Sequence, residues 1–142
     1  MDIKKTIEND RLKIVFPSDI YIIDKVVVEA VDFIKLKNIN IDLFAFRLAL
    51  YEGLTNAVKH GNKLNIKRTV ELVIEFKDKN LSIFVKDQGK GFDWHKAMAD
   101  EEPPVAAPVE QEGGRGLYIL KFYGYDPEYN EKGNLLKLKI KI

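Results

Sequence analysis

Between Ile23 and Ile34 apolar residues recur every three or four positions, whereas between Val70 and Phe76 they recur every two. That change of period constrains the fold most, because a side-chain repeat near 3.6 belongs to a helix and a repeat of 2 to a strand. Ile23, Val26, Val27, Ala30, Val31 and Ile34 predict one buried stripe on a helix that follows Pro17, with Ser18-Asp19 as its N-cap and Asn38-Ile39-Asn40 as its end. Asp42 caps a second helix, predicted to run to about His60 with Leu43, Phe46, Leu50, Leu54 and Ala57 on its apolar face and Gly61-Asn62 as its stop. Strands are expected over Leu12–Phe16, Val70–Phe76 and Leu81–Lys86, the last two joined by Lys77-Asp78-Lys79-Asn80. A short helix over Gly116–Tyr123 ends at Gly124. A final hairpin turns at Glu131-Lys132-Gly133-Asn134 into the strand Leu135–Ile140.

Helices and strands segregate along the chain instead of alternating. The expected fold class is therefore α+β, a two-layer sandwich whose mixed, mostly antiparallel sheet is covered on one face by helices. With 142 residues, the chain is read as a single domain, 1–142. One stretch departs from it. From about 93 to 113 there is no clear period, but there are Pro103, Pro104, Pro108 and five acidic residues from Asp100 to Glu112. So long an aperiodic stretch inside a domain reads as a functional lid or as a disordered segment.

Charge and composition exclude several functions. Lys and Arg number 23 against 22 Asp and Glu, so no field steers the chain toward nucleic acid or an acidic membrane surface. The absence of cysteine removes disulfide scaffolds, thiolate metal sites and cysteine nucleophiles. Met1-Asp2-Ile3-Lys4-Lys5 lacks the apolar stretch of a signal peptide, and no run approaches the roughly 20 apolar residues of a membrane span. A cytoplasmic location is the expectation.

Three motifs carry candidate chemistry. In Glu52-Gly53-Leu54-Thr55-Asn56-Ala57-Val58-Lys59-His60-Gly61-Asn62, the residues Glu52, Asn56 and His60 fall at i, i+4 and i+8 of the second helix. An amide oxygen at Asn56 suits a hard divalent cation that keeps waters and phosphate oxygens as its other ligands. Glu52, one turn away, is placed to accept a proton. A solvated polar stripe on a surface helix explains the same spacing. In Val85-Lys86-Asp87-Gln88-Gly89-Lys90-Gly91-Phe92, Asp87 stands at a strand end, where a carboxylate can accept from the exocyclic amine of adenine, and Gly89 and Gly91 permit close backbone approach. A plain hairpin loop is the alternative. Gly113-Gly114-Arg115-Gly116-Leu117 opens a helix whose free amides suit an anion, and Arg115 adds a bidentate cation, although a hinge would also use these glycines.

Taken in order, these motifs resemble the N box (Glu52, Asn56), first glycine box (Asp87, Gly89, Gly91) and second glycine box (Gly113, Gly114, Gly116) of the histidine-kinase-like ATPase superfamily. Thr55-Asn56-Ala57-Val58 and Gly113-Gly114-Arg115-Gly116-Leu117-Tyr118 are most similar to the anti-sigma regulatory factors with serine/threonine kinase activity. The resemblance implies ATP and Mg²⁺ as ligands. It makes Asp87 the adenine reader, Asn56 the Mg²⁺ ligand and Glu52 the catalytic base, with the second glycine box and Arg115 on the phosphates. It further implies transfer of phosphate to a serine of a STAS-type anti-anti-sigma protein, a sigma factor as second partner, a homodimer, and no direct contact with nucleic acid or membrane. A non-catalytic module, in which nucleotide only sets affinity for a protein partner, is the alternative. The chain departs from the family on its last strand, where relatives often carry a hydroxyl residue and this one reads Asn134-Leu135-Leu136-Lys137.

Overall fold

The structure is a computed structural model that describes residues 3–91 and 112–142. Six strands form one sheet: β1 (Lys4–Glu8), β2 (Arg11–Pro17), β3 (Thr69–Lys77), β4 (Asn80–Lys86), β5 (Asp126–Tyr129) and β6 (Leu135–Lys141). Their spatial order is β1-β2-β3-β4-β6-β5, and every neighbouring pair is antiparallel. The sheet is thus antiparallel throughout rather than mixed. Helices α1 (Ile23–Leu36), α2 (Leu43–Thr55) and α3 (Glu112–Phe122) carry the apolar stripes that cover it.

Register explains why the core is where it is. Ile14, Leu72, Val85, Leu136 and Tyr129 face one another in a continuous row across five strands, and Leu12, Ile74, Ile83, Leu138 and Pro127 form the next row. Period-two alternation puts both rows on the same side, where the helices cover them. From the helices come Val26, Ala30 and Ile34 of α1 and Phe46, Leu50 and Leu54 of α2, all essentially inaccessible to water. Each of these side chains except Ala30 contributes about 1.5–3 kcal/mol on burial. An exposed ion pair such as Lys13–Glu71 (3.2 Å) contributes about 0–1 kcal/mol, so packing and not surface charge holds the layers together.

Three local readings change. The N-terminal segment is a full hairpin, because Lys4–Glu8 pairs with Arg11–Val15 around Asn9, whose φ is 52°. All five β1 side chains are exposed, so the strand carries no apolar alternation to betray it. Asp19 caps a 3₁₀ turn over Ile20–Ile22 before α1 begins, and Ser18 is drawn elsewhere. The second helix does not reach His60 as one α-helix. α2 closes at Thr55 and a π-helical turn, Asn56–Gly61, follows, with the Asn62 amide donating to the Ala57 carbonyl at 2.8 Å. The turn over Lys77–Asn80 and the hairpin over Glu131–Asn134 stand where the sequence puts them.

One buried group tests the packing. The hydroxyl of Tyr125 is enclosed without a hydrogen-bond partner among the described residues, and burial pushes its acidity well away from the ordinary phenol. An unsatisfied buried polar atom costs about 1–3 kcal/mol. Tyr125→Phe should therefore leave stability unchanged or raise it by about 1 kcal/mol in urea denaturation. A clear loss of stability would mean that the hydroxyl has a partner.

Candidate functional site

The π turn brings two of the three motifs into contact. Asp87, at the end of β4, is buried to 8% exposure, with its carboxylate lying directly over the Cα of Gly61 at the end of that turn. Gly89 packs against the Gly61 carbonyl so closely that a Cβ there would overlap it. The Gly89 amide donates to Asp87 Oδ1 at 2.8 Å and fixes the carboxylate rotamer. Burial pushes the Asp87 carboxyl above its ordinary value, while the Gly89 amide and the positive charges of Lys132 and Arg68 pull the other way. With burial the largest influence on it, a further hydrogen bond donated by a ligand would favour the charged form of this carboxylate. Gly91 has φ +85° and lies against the Lys132 carbonyl, a position only glycine fills without strain.

The third motif closes on the first. Gly116, in α3, sits on the carboxylate of Glu52, and a Cβ at 116 would occupy the same space. Asn56 Nδ2 donates to Glu52 Oε1 at 3.3 Å, which leaves the amide oxygen of Asn56 turned away from that carboxylate. A hard cation needs such an oxygen, so the residues present fit a divalent ion held jointly by Asn56 and a ligand's own oxygens. α3 starts at Glu112, which puts Gly113 and Gly114 in its first turn, where free backbone amides suit an anion. The side chain of Arg115 and most of the 93–113 segment read as a lid lie outside the described residues. His60, the last residue but one of the π turn, is exposed.

Sequence reasoning missed four contributors. Tyr129 of β5 is buried, its acidity lowered by burial and then by the negative charges of Glu52 and Asp87, which places it where both motifs are felt. Asn134 accepts the Asp87 amide on its carbonyl at 2.9 Å, and its side chain donates back to the Asp87 carbonyl at 3.3 Å. Asn134, just before β6, thus supports the Asp87 backbone. Asn62 and Ser18 form a buried pair beside the same loop, with Asn62 Nδ2 donating to Ser18 Oγ at 2.7 Å. In the sequence Ser18 is marked only by a capping signal, Asn62 by a helix stop, Asn134 by a turn and Tyr129 by none, and such local signals do not speak of partners across the fold.

A family model described as "Histidine kinase-like ATPase domain" matches residues 23–140. The chain belongs to that family. The match runs from the first residue of α1 almost to the end of β6, so it takes in the three helices, strands β3 to β6 and all three motifs. Among curated proteins, the chain is similar to "Serine-protein kinase RsbW" of Bacillus licheniformis, 34% identical over 56% of this chain and 52% of the relative. It is likewise similar to proteins of the same name from Staphylococcus epidermidis, 31% identical over 56% of this chain and 53% of the relative, and from Bacillus subtilis strain 168, 32% over 53% and 49%. The chain spans about half the length of the curated relatives it matches. Among the described residues, no helix of this ATPase domain is long and apolar enough to cross a membrane.

Proposed function

We propose that the chain is an ATP-dependent serine kinase of the anti-sigma type. The observation that carries this reading is the double closure of the site, with Gly61 seated on the Asp87 carboxylate and Gly116 on the Glu52 carboxylate. A base-reading acid and a proton acceptor are thereby brought to one helical segment, Glu52 from within it and Asp87 against its end. The relatives, each named a serine-protein kinase, support the same class of reaction.

In this reading Asp87 accepts from the exocyclic amine of adenine, and Gly89 and Gly91 let the backbone lie close to the base. Gly113, Gly114 and Gly116 present amides to the phosphates, with Arg115 adding charge. Asn56 holds Mg²⁺ through its amide oxygen; the ion when bound supplies charge neutralisation on the phosphate oxygens. Glu52 takes the proton from the attacking serine hydroxyl as the new oxygen–phosphorus bond forms and the bond to the bridging oxygen breaks, leaving ADP and phosphoserine. The partners of this proposal are a STAS-type anti-anti-sigma protein as substrate, a sigma factor and a second copy of the chain, all in the cytoplasm.

The test has two arms. Incubation with labelled ATP and a purified anti-anti-sigma protein should yield phosphoserine; if nucleotide binds and no such partner is ever phosphorylated, the non-catalytic module replaces the kinase. Asp87→Asn should weaken ADP by about 10–150-fold, the equivalent of one charge-assisted hydrogen bond of about 1.5–3 kcal/mol. In the nucleotide-free protein the same substitution should act in the opposite direction. The folded state raises the Asp87 pKa, so the carboxyl favours folding while protonated and loses that contribution as pH rises through the raised value. Asp87→Asn should melt higher than wild type at pH 7, with the gap closing toward the ordinary carboxyl value of 3.8. Unchanged ADP affinity in a folded variant rules the adenine role out.

A further inference from the structure

Asn62 is fully buried, and each of its amide groups is committed. Its Oδ1 accepts the backbone amide of Gln88 at 2.7 Å, and its Nδ2 donates to Ser18 Oγ at 2.7 Å and to the Thr69 carbonyl at 2.9 Å. Only one orientation of the carboxamide satisfies this set, because an N–H faces the oxygen and two oxygens face the nitrogen. Ser18 is anchored in turn, donating to the Arg68 carbonyl at 2.8 Å, and the Thr69 amide donates to the side-chain oxygen of Gln88 at 2.7 Å. One side chain thus ties the end of the π turn, the residue just after β2, the start of β3 and the loop after β4.

The loop so tied is the one that presents Asp87. The Asp87 amide is held by Asn134, the Gln88 amide by Asn62, and the Gly89 amide by Asp87 Oδ1. Three consecutive amides are therefore fixed by three different partners, of which Asn62 is the one rooted in the helical layer. Gly61, its immediate neighbour, is the surface on which the Asp87 carboxylate rests. We infer that Asn62 is a positioning residue for base recognition, a clamp that sets where the Asp87 carboxylate stands and so sets the preference for adenine over guanine. This rests on the reading of Asp87 as the adenine contact.

The experiment compares displacement of a fluorescent ADP by unlabelled ADP and GDP in wild type, Asp87→Asn and Asn62→Ala, with amide exchange at Gln88 followed by NMR. Asn62→Ala is expected to lower the ADP-over-GDP preference by about 10-fold, through weaker ADP binding alone, and to speed exchange at Gln88 selectively. A merely structural role would lower the melting temperature but leave the preference intact, and that result overturns the inference. Ser18→Ala removes one acceptor of the same carboxamide and keeps the other, so it should shift the preference in the same direction by about 3-fold. If Asn62→Ala does not fold, an unchanged preference in Ser18→Ala is the overturning result. Should Asp87→Asn leave the preference untouched, the adenine reading itself fails; should it abolish the preference while Asn62→Ala and Ser18→Ala retain it, only the clamp fails.

Discussion

Glu52→Gln should leave Mg-ATP binding nearly intact and lower phosphoryl transfer by about 10²–10⁴-fold, the span usual for loss of a general base. The size of the side chain is unchanged, so Gly116 can still seat against it, and the remaining side-chain oxygen can still accept from Asn56 Nδ2. What disappears is proton acceptance. Single-turnover transfer to an anti-anti-sigma protein separates this from an affinity effect. A variant that transfers phosphate at the wild-type rate would remove Glu52 from the chemistry. Asn56→Ala should fail differently, losing Mg-ATP affinity first.

Gly89→Ala is expected to be the most damaging change to nucleotide binding, with ADP affinity reduced by about 100-fold and a stability loss of about 1–3 kcal/mol from overpacking. The added Cβ meets the backbone carbonyl of Gly61 and also reaches Asp87 Oδ1 at 3.0 Å. Neither side can retreat easily, because Asn62 pins the Gln88 amide and Asn134 pins that of Asp87. Gly116→Ala makes a useful contrast. There the obstacle is the carboxylate of Glu52, a side chain that can rotate aside, so turnover should fall further than affinity. Titration calorimetry with ADP decides the first case, and normal binding by Gly89→Ala would show that the loop accommodates bulk.

The legibility of this chain followed the kind of signal. Ile23, Val26, Val27, Ala30, Val31 and Ile34 are all buried as their spacing requires, because a stripe along a helix of 14 residues averages out local exceptions. β1 was invisible, since a strand exposed on both faces has no period to read. Glu52, Asn56 and Asp87 could be picked out by residue type and spacing, and the fold brings their motifs together. Asn62 could be read as a helix stop but not as a clamp, because its partners Ser18 and Gln88 lie 44 and 26 residues away in the chain. Contacts of that range depend on register across the sheet and leave no local pattern.

The π turn between Asn56 and Gly61 has a consequence for how the motif tolerates change in length. A π turn accommodates one residue more than the α-helical turn it replaces, so it behaves as a one-residue insertion absorbed in place. Deleting any one residue from 57 to 60 would let the helix continue in α geometry with Gly61 and Asn62 still facing the β4 loop. A second deletion finds no extra residue to remove and would rotate everything beyond it by about 100°, swinging Gly61 and Asn62 off the loop together while Asn56 keeps its place beside Glu52. The first box of the site therefore carries one residue of slack, and beyond that its composition can survive a change that destroys its alignment.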